Sequence, residues 1–138
     1  MQIAYKAHID QVDKSGLPYL YHPIHLAEQM DDEASICVAL LHDVVEDSHY
    51  TIRDLENMGF SPAILEALSL LSHHKETDYS VYIRHIKANA LARKVKIADL
   101  KHNAEIERLD FPTIEDIRRR EKYHQAICVL ESDQDDKI

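Results

Sequence analysis

Apolar side chains recur at three- and four-residue intervals along most of the chain, and short polar breaks separate these periodic segments. Such spacing is typical of helices that bury one face. With 2 glycines and 4 prolines in 138 residues, the chain has few of the turn residues that many short strands would need. The pattern predicts an all-α bundle with helices at about 2–12, 23–30, 32–47, 51–58, 62–71, 78–87, 89–108 and 113–130.

Three of the predicted helices begin with a recognisable cap. Thr51 and Thr113 are each followed three residues later by an aspartate, which resembles a capping box with Asp in place of Glu. Ser61 precedes a proline at the first helical position, where proline is tolerated. Gly59 suits the end of the short helix before it.

The segment at about 32–47 is almost continuously apolar up to Leu41, so we expect this helix in the core. The chain length and a hydrophobic fraction of 45% predict a single domain over residues 1–138, with an acidic tail at 131–138 that frays. Cys37 and Cys128 lie far apart in apolar segments, and we expect both to be buried, reduced thiols.

Charge and hydropathy disfavour several classes of partner. The net charge is −9 with neutral histidines, whereas binding to nucleic acid or to anionic membranes requires basic surfaces. No apolar run approaches the ~20 residues of a membrane span, and the N-terminus lacks the pattern of a secretory signal. We therefore expect a cytoplasmic protein whose partner is a small molecule. A phosphorylated molecule is compatible with the acidic chain because a bound metal supplies positive charge locally.

A cluster of polar residues follows the apolar run at residues 38–41: His42, Asp43, Glu46 and Asp47. In a continuous helix, their three- and four-residue spacings place them on one face. Three carboxylates near a helix C-terminus oppose the helix dipole, at a cost of about 0.3–1 kcal/mol each where exposed. A bound divalent metal would reverse this repulsion. The alternative is a solvated helix end with a chance acidic cluster.

Asp99 interrupts the apolar stretch at residues 95–100 and needs a partner if it is buried. A structural salt bridge or a helix cap would satisfy it. The other interpretation is a metal site in which Asp99 meets His22, His42 and Asp43. Two imidazoles and two carboxylates suit Mn²⁺, Fe²⁺ or Zn²⁺ and leave positions open for water and substrate.

The order His22, His42-Asp43, Asp99 resembles the His…His-Asp…Asp pattern of the HD-domain metal-dependent phosphohydrolases. Three longer segments are similar to the hydrolase domain of RelA/SpoT-type alarmone enzymes: Lys-Ser-Gly-Leu-Pro-Tyr-Leu-Tyr-His-Pro at 14–23, Leu-Leu-His-Asp-Val-Val-Glu-Asp at 40–47 and Lys-Ile-Ala-Asp-Leu-Lys-His-Asn at 96–103. In size, the chain resembles the small stand-alone alarmone hydrolases. The resemblance implies an HD-domain helical bundle that hydrolyses the alarmone without synthesising it.

The resemblance also implies a role for each matching residue. Four residues match the family's metal ligands, with Mn²⁺ as the usual ion: His22, His42, Asp43 and Asp99. Glu46 and Asp47 would position and deprotonate the attacking water, while Lys14, Ser15 and Asn103 would contact the nucleotide substrate. The implied reaction removes the 3′-pyrophosphate from guanosine tetra- or pentaphosphate (ppGpp or pppGpp).

Two positions depart from the family pattern. Asp13 stands where the family often has an arginine against the guanine base, and Ala104-Glu105-Ile106 stands where it often has Met-Arg-Thr. Both changes remove basic or polar character near the expected nucleotide. They motivate one alternative, HD-type hydrolysis of another nucleotide or phosphoester. A second alternative is a catalytically silent nucleotide-binding regulator, against which the complete ligand set and the Glu46-Asp47 pair argue.

Overall fold

A computed structural model describes residues 1–12, 18–106 and 113–132, and within these stretches it contains nine α-helices. An isolated β-bridge joins Val12 to Pro18, and the same residues contain no strand. The predicted all-α architecture is therefore confirmed. The helices are α1 (Gln2–His8), α2 (Tyr21–Glu28), α3 (Glu33–Leu41), α4 (Val44–Asp47), α5 (Ile52–Asn57), α6 (Pro62–Leu71), α7 (Tyr79–Lys87), α8 (Ala90–Ile106) and α9 (Ile114–Glu131).

The helices pack around a shared hydrophobic core with α3 at its centre. This helix contacts α2, α6 and α8, and Val38 and Ala39 are completely buried, which confirms the predicted core position. Helix α9 packs across α7 and α8 and buries Leu130. In the part of the chain that the structure describes, no helix combines the length and apolar character needed to cross a bilayer.

The predicted caps are present. The Thr51 and Thr113 side chains each accept a hydrogen bond from the backbone three residues on, and both form complete capping boxes. Ser61 accepts a hydrogen bond from the backbone N–H of Ile64. Gly59 follows α5 with a φ of +94°, a conformation that favours glycine. Asp78 precedes α7, but its side chain makes no capping hydrogen bond.

The prediction of one helix over 32–47 is wrong, because the chain turns at His42 and Asp43. Asp43 has φ −104° and ψ −1°, outside the usual helical range. Neighbouring side chains on a straight helix point about 100° apart. The turn instead brings His42 Nε2 and Asp43 Oδ2 to 2.9 Å from each other.

Two further expectations also need correction. Helix α1 ends at His8, because the next residues pair with the incoming segment, where the Tyr19 N–H donates to the Gln11 carbonyl. Cys37 is partly buried, and Cys128 is exposed on α9; both are free thiols. The break before Thr113 and the tail beyond residue 132 lie outside the described residues.

Candidate metal centre and substrate cavity

Four potential metal ligands meet where α2, α8 and the turn between α3 and α4 come together. His22 comes from α2, His42 and Asp43 from the turn, and Asp99 from α8. One donor atom of each residue lies within 4.8 Å of the others. Both histidines and Asp99 are buried, while Asp43 is partly buried. Packing thus gathers residues that are as much as 77 positions apart.

Short distances link the donors of this cluster. His22 Nε2 lies 2.8 Å from Asp99 Oδ1, and His42 Nε2 lies 3.4 Å from the same oxygen. His42 Nε2 is also 2.9 Å from Asp43 Oδ2, but among the described residues it forms no hydrogen bond. A buried nitrogen beside two carboxylates without a hydrogen bond has the environment of a ligand facing a cation.

The backbone and the other ring nitrogen orient His42. Its Nδ1 lies 2.7 Å from the Ala39 carbonyl oxygen, so the N–H at this position donates to Ala39. With a metal bound, Nε2 would present its lone pair to the ion, on the side of Asp43 and Asp99. Metal-binding histidines usually donate their second N–H in this way, which sets the tautomer and the ring orientation. The donor set therefore fits a divalent metal.

His102 supports His22 from the side opposite the cluster. The two rings stack with centroids 4.8 Å apart and planes 9° from parallel, and their Nδ1 atoms are hydrogen-bonded to each other. If His22 directs the Nε2 lone pair towards the cluster, its Nδ1–H donates to His102. Through this contact, His102 helps to orient a proposed metal ligand.

Tyr19 lies over Asp43, and its hydroxyl donates to Asp43 Oδ2. Burial and the negative charge of Asp43 raise the pKa of Tyr19, so the phenol keeps its proton. This hydrogen bond holds one carboxylate of the cluster in place.

Asp99 has cationic and amide partners on α8. Lys96 Nζ lies 3.0 Å from Oδ2, and Asn103 Nδ2 donates to Oδ1 over 3.2 Å. Burial alone would raise the pKa of Asp99, but Lys96 and His42 outweigh it and hold that pKa well below its usual range. Burial would likewise lower the pKa of His42, and Asp43 and Asp99 reverse that shift. Asp99 is thus a permanent anion.

Glu46 and Asp47 lie on α4, exposed beside the cluster. Partial desolvation and the charge of Asp43 raise the pKa of both carboxyls; the charge of Asp47 further raises the pKa of Glu46, and the charge of Asp99 that of Asp47. A carboxylate with a raised pKa is a better proton acceptor than an ordinary one. The pair can therefore accept a proton from a water molecule held at the cluster.

A cavity of about 300 Å³ opens next to these groups, and residues of α7, α8 and α9 complete its wall. All of its lining residues except Leu100 carry a polar or ionisable side chain, which suits a charged molecule. It is lined by Tyr19, Asp43, Glu46, Asp47, His73, Tyr79, Tyr82, Lys96, Asp99, Leu100, Asn103, Lys122 and Tyr123.

The three residues predicted to contact the substrate differ in outcome. Asn103 lines the cavity, whereas Lys14 and Ser15 lie outside the described residues, as does the departing position Asp13. Sequence reasoning missed the cation of Lys96, although its position three residues before Asp99 on a helix was a usable signal. Nothing in the sequence indicated that Lys122 would line the cavity, because α9 reaches the site only in the folded chain.

No protein-family model matches the chain. It is 36% identical, over an alignment of 116 residues, to a guanosine-3′,5′-bis(diphosphate) 3′-pyrophosphohydrolase of Haemophilus influenzae, covering 73% of this chain and 17% of the relative. It is 34% identical over 115 residues to the bifunctional (p)ppGpp synthase/hydrolase SpoT of Escherichia coli, covering 73% and 16%. The chain thus spans about one sixth of the length of these relatives.

A solved structure also shares the fold. It belongs to a metazoan ortholog of SpoT that hydrolyses ppGpp. It superimposes with a TM-score of 0.73 and covers 98% of this chain and 84% of its own, at 24% sequence identity. The two proteins therefore share the same arrangement of helices.

Proposed function

We propose that this chain, a homologue of the RelA/SpoT-type enzymes, is a metal-dependent phosphohydrolase that removes the 3′-pyrophosphate from ppGpp or pppGpp. The convergence of His22, His42, Asp43 and Asp99 around one point carries this proposal. The relatives are enzymes of ppGpp metabolism, which suggests the substrate class. The polar cavity beside the cluster can admit a charged molecule.

The cluster would hold a divalent ion, with Mn²⁺ as the proposed metal, through two imidazole nitrogens and two carboxylates. Such an ion polarises a phosphoryl oxygen and lowers the pKa of bound water towards neutrality. The surrounding side chains prepare the ligands. Ala39 orients His42, His102 orients His22, and the Tyr19 hydroxyl holds Asp43.

Glu46 and Asp47 would act as general bases on the attacking water. One carboxylate accepts the proton as the water oxygen bonds to the phosphorus attached to ribose O3′. The O3′–P bond breaks as O3′ takes up a proton, from that carboxylic acid or from solvent water, and GDP and pyrophosphate form from ppGpp. The raised pKa of each carboxyl favours this transfer.

Product analysis tests the proposal. Purified protein loaded with Mn²⁺ is incubated with ppGpp, and the nucleotides are separated by ion-exchange chromatography. We expect GDP and pyrophosphate in equal amounts, and no products after the metal has been removed with a chelator. Metal-loaded protein that leaves ppGpp intact contradicts the proposed substrate.

One specific observation favours a second candidate, hydrolysis of another nucleotide or phosphoester. Asp13 and Glu105 stand where basic residues are common in the family, so the guanine end of ppGpp loses expected contacts. A panel of nucleotides and phosphoesters, assayed by phosphate or pyrophosphate release, separates the candidates. Faster turnover of a compound other than ppGpp would support the second.

A further inference from the structure

Carboxylates outnumber ammonium groups among the described residues that line the cavity. The four carboxylates are those of Asp43, Glu46, Asp47 and Asp99. The two ammonium groups are those of Lys96 on α8 and Lys122 on α9. Besides the proposed metal, these are the ammonium groups of the described lining that a substrate with several phosphates can contact.

Lys96 is already occupied by contacts within the protein. Its side chain is 14% exposed, its Nζ forms an ion pair with Asp99, and it lies 5.4 Å from the centre of the Tyr82 ring. Asp99 holds the pKa of Lys96 above its usual value although burial lowers it. The Lys96 ammonium is therefore already engaged in an ion pair with Asp99.

Lys122 differs because its contact is an aromatic ring. Its Nζ lies 3.9 Å from the centre of the Tyr79 ring, on the exposed side of α9 that faces the cavity. Within the described stretches, no carboxylate forms an ion pair with this ammonium. A ring attracts a cation without neutralising it, at about 0.5–1 kcal/mol for exposed pairs. Tyr79 therefore fixes the position of Lys122 and leaves its charge available.

We propose that Lys122, positioned by Tyr79, binds a second phosphate group of the substrate, remote from the bond that is hydrolysed. This inference rests on the proposed function and deepens it, because it defines the substrate as a nucleotide with phosphates at two separate positions. The metal cluster receives one phosphate group, and the ammonium across the cavity receives the other.

The aromatic residues of the same wall suit the nucleoside that joins the two phosphates. Tyr79 and Tyr82 have ring centres 5.8 Å apart, and the His73 ring stacks on Tyr82 at 4.5 Å. All three line the cavity. The partly exposed rings of Tyr79 and His73 can stack on a base, and stacking suits every base because each has a π-face.

Kinetics with two substrates test the assignment. Lys122→Gln removes the ammonium, and Arg120→Gln is the matched control, since it removes one positive charge from a different surface groove of the same helix. The substrates are ppGpp and guanosine 3′-diphosphate, which lacks the 5′ phosphates. For ppGpp, we expect Lys122→Gln to raise KM about tenfold with little change in kcat, as for loss of a hydrogen bond to a charged group.

For guanosine 3′-diphosphate, the same variant should keep the KM of the wild type, and Arg120→Gln should match the wild type on both substrates. An equal change on both substrates, or no change on either, overturns the assignment. A thermal melt of each variant verifies that the fold is retained.

A binding measurement separates failure of this inference from failure of the proposed function. Calorimetry with GDP requires no turnover, and Lys122→Gln should weaken GDP binding about tenfold relative to Arg120→Gln. If the wild type leaves ppGpp intact but shows this difference, the proposed function fails and the inference holds. If the wild type hydrolyses ppGpp and Lys122→Gln changes neither KM nor GDP affinity, the inference fails alone.

Variants of Tyr79 test the positioning role. Tyr79→Phe keeps the ring and should retain the KM of the wild type for ppGpp. Tyr79→Leu removes the ring and should raise KM several-fold, with kcat and the KM for guanosine 3′-diphosphate unchanged. A Tyr79→Phe enzyme as impaired as Tyr79→Leu would contradict a positioning role for the ring.

Discussion

At the scale of single residues, the site depends on which atom each side chain presents. His42 donates Nδ1–H to Ala39 and leaves Nε2 beside Asp43 and Asp99, without a hydrogen bond among the described residues. His22 is arranged in the same way, with Nε2 beside Asp99 and Nδ1 hydrogen-bonded to His102. In both cases, the second nitrogen determines how the first is aimed, which is the arrangement of histidines in metal centres.

Replacing Asp43 by alanine should remove the metal and the activity together. The variant loses one carboxylate ligand and the group that Tyr19 holds in place. Elemental analysis after Mn²⁺ loading and desalting should find about one ion per wild-type chain and much less in Asp43→Ala. Asp10→Ala, at an exposed carboxylate on the surface, is the control and should keep both metal and turnover. A fully loaded Asp43→Ala protein would disprove the ligand assignment.

Replacing Glu46 by glutamine should keep the metal but reduce turnover by about 10²–10⁴, as for loss of a general base. The same variant at Asp47, Asp47→Asn, shows which carboxylate contributes more. Glu56→Gln, on the exposed side of α5, is the control for removal of one carboxylate. Unchanged turnover in Glu46→Gln would exclude this residue from the proton transfer.

The metal-free Glu46→Gln protein should also differ from wild type in its pH dependence of stability. The folded-state pKa of Glu46 is raised by desolvation and by Asp43, so the wild type loses stability as the pH rises through that pKa. Glutamine has no such loss. At neutral pH, urea unfolding should show the variant to be more stable by less than about 1 kcal/mol, because the group is exposed. Below the ordinary pKa of glutamate, the two proteins should be equally stable.

At the scale of elements, the turn between α3 and α4 is the feature that forms the site. Three buried apolar residues fix α3 in the hydrophobic core: Val38, Ala39 and Leu41. The turn then directs two adjacent side chains to one point, and α4 carries Glu46 and Asp47 to the cavity. The segment that follows α1 contacts α4, since the Gln11 side chain donates to the Asp47 carbonyl at 3.0 Å and also contacts His8 Nδ1 at the end of α1.

Helix caps offer a test at this scale, because α5 and α9 begin with the same capping box. Thr51→Ala and Thr113→Ala should each lower the free energy of unfolding by about 1 kcal/mol. Denaturant unfolding of the metal-free proteins measures this loss, and Thr→Ser variants at the two positions are the controls, since they keep the hydroxyl. A loss of less than about 0.3 kcal/mol at either position would mean that the cap contributes little there.

At the scale of the whole molecule, the metal and the fold are coupled. The cluster joins α2, the α3–α4 turn and α8, so an ion bound there would add a link between elements that already touch through side-chain packing and through the contacts of His22 with Asp99 and His102. The ion would also offset part of the net charge of −9. An ion that binds only the folded chain stabilises it according to its concentration and affinity.

Addition of Mn²⁺ at about 100 times its Kd should raise Tm by about 10 °C, which corresponds to about 2.7 kcal/mol. The shift should shrink as the pH falls. Asp43 and Asp99 raise the pKa of His42 against the effect of burial, so a proton must leave before the metal binds. Differential scanning calorimetry at several pH values measures both effects. An Asp43→Ala protein with the same shift would place the ion elsewhere.

The sequence by itself determined what depends on neighbours three or four residues apart. The caps at Thr51, Ser61 and Thr113, the helical periods and the apolar run of α3 are local, because their hydrogen bonds and packing faces lie within one helical turn. The candidate ligands could also be identified from the sequence. A polar residue in an apolar stretch tends to be buried, and burying it without a partner costs free energy.

Only the tertiary structure decided how these residues meet. The turn at Asp43, the stacking of His102 on His22 and the placement of Lys122 over Tyr79 join positions up to 80 residues apart. Side-chain spacing along a chain carries no information about such contacts, because they form when separate helices bury their apolar faces against one core. Local chemistry therefore selected the candidate residues, and burial of the helices determined their geometry.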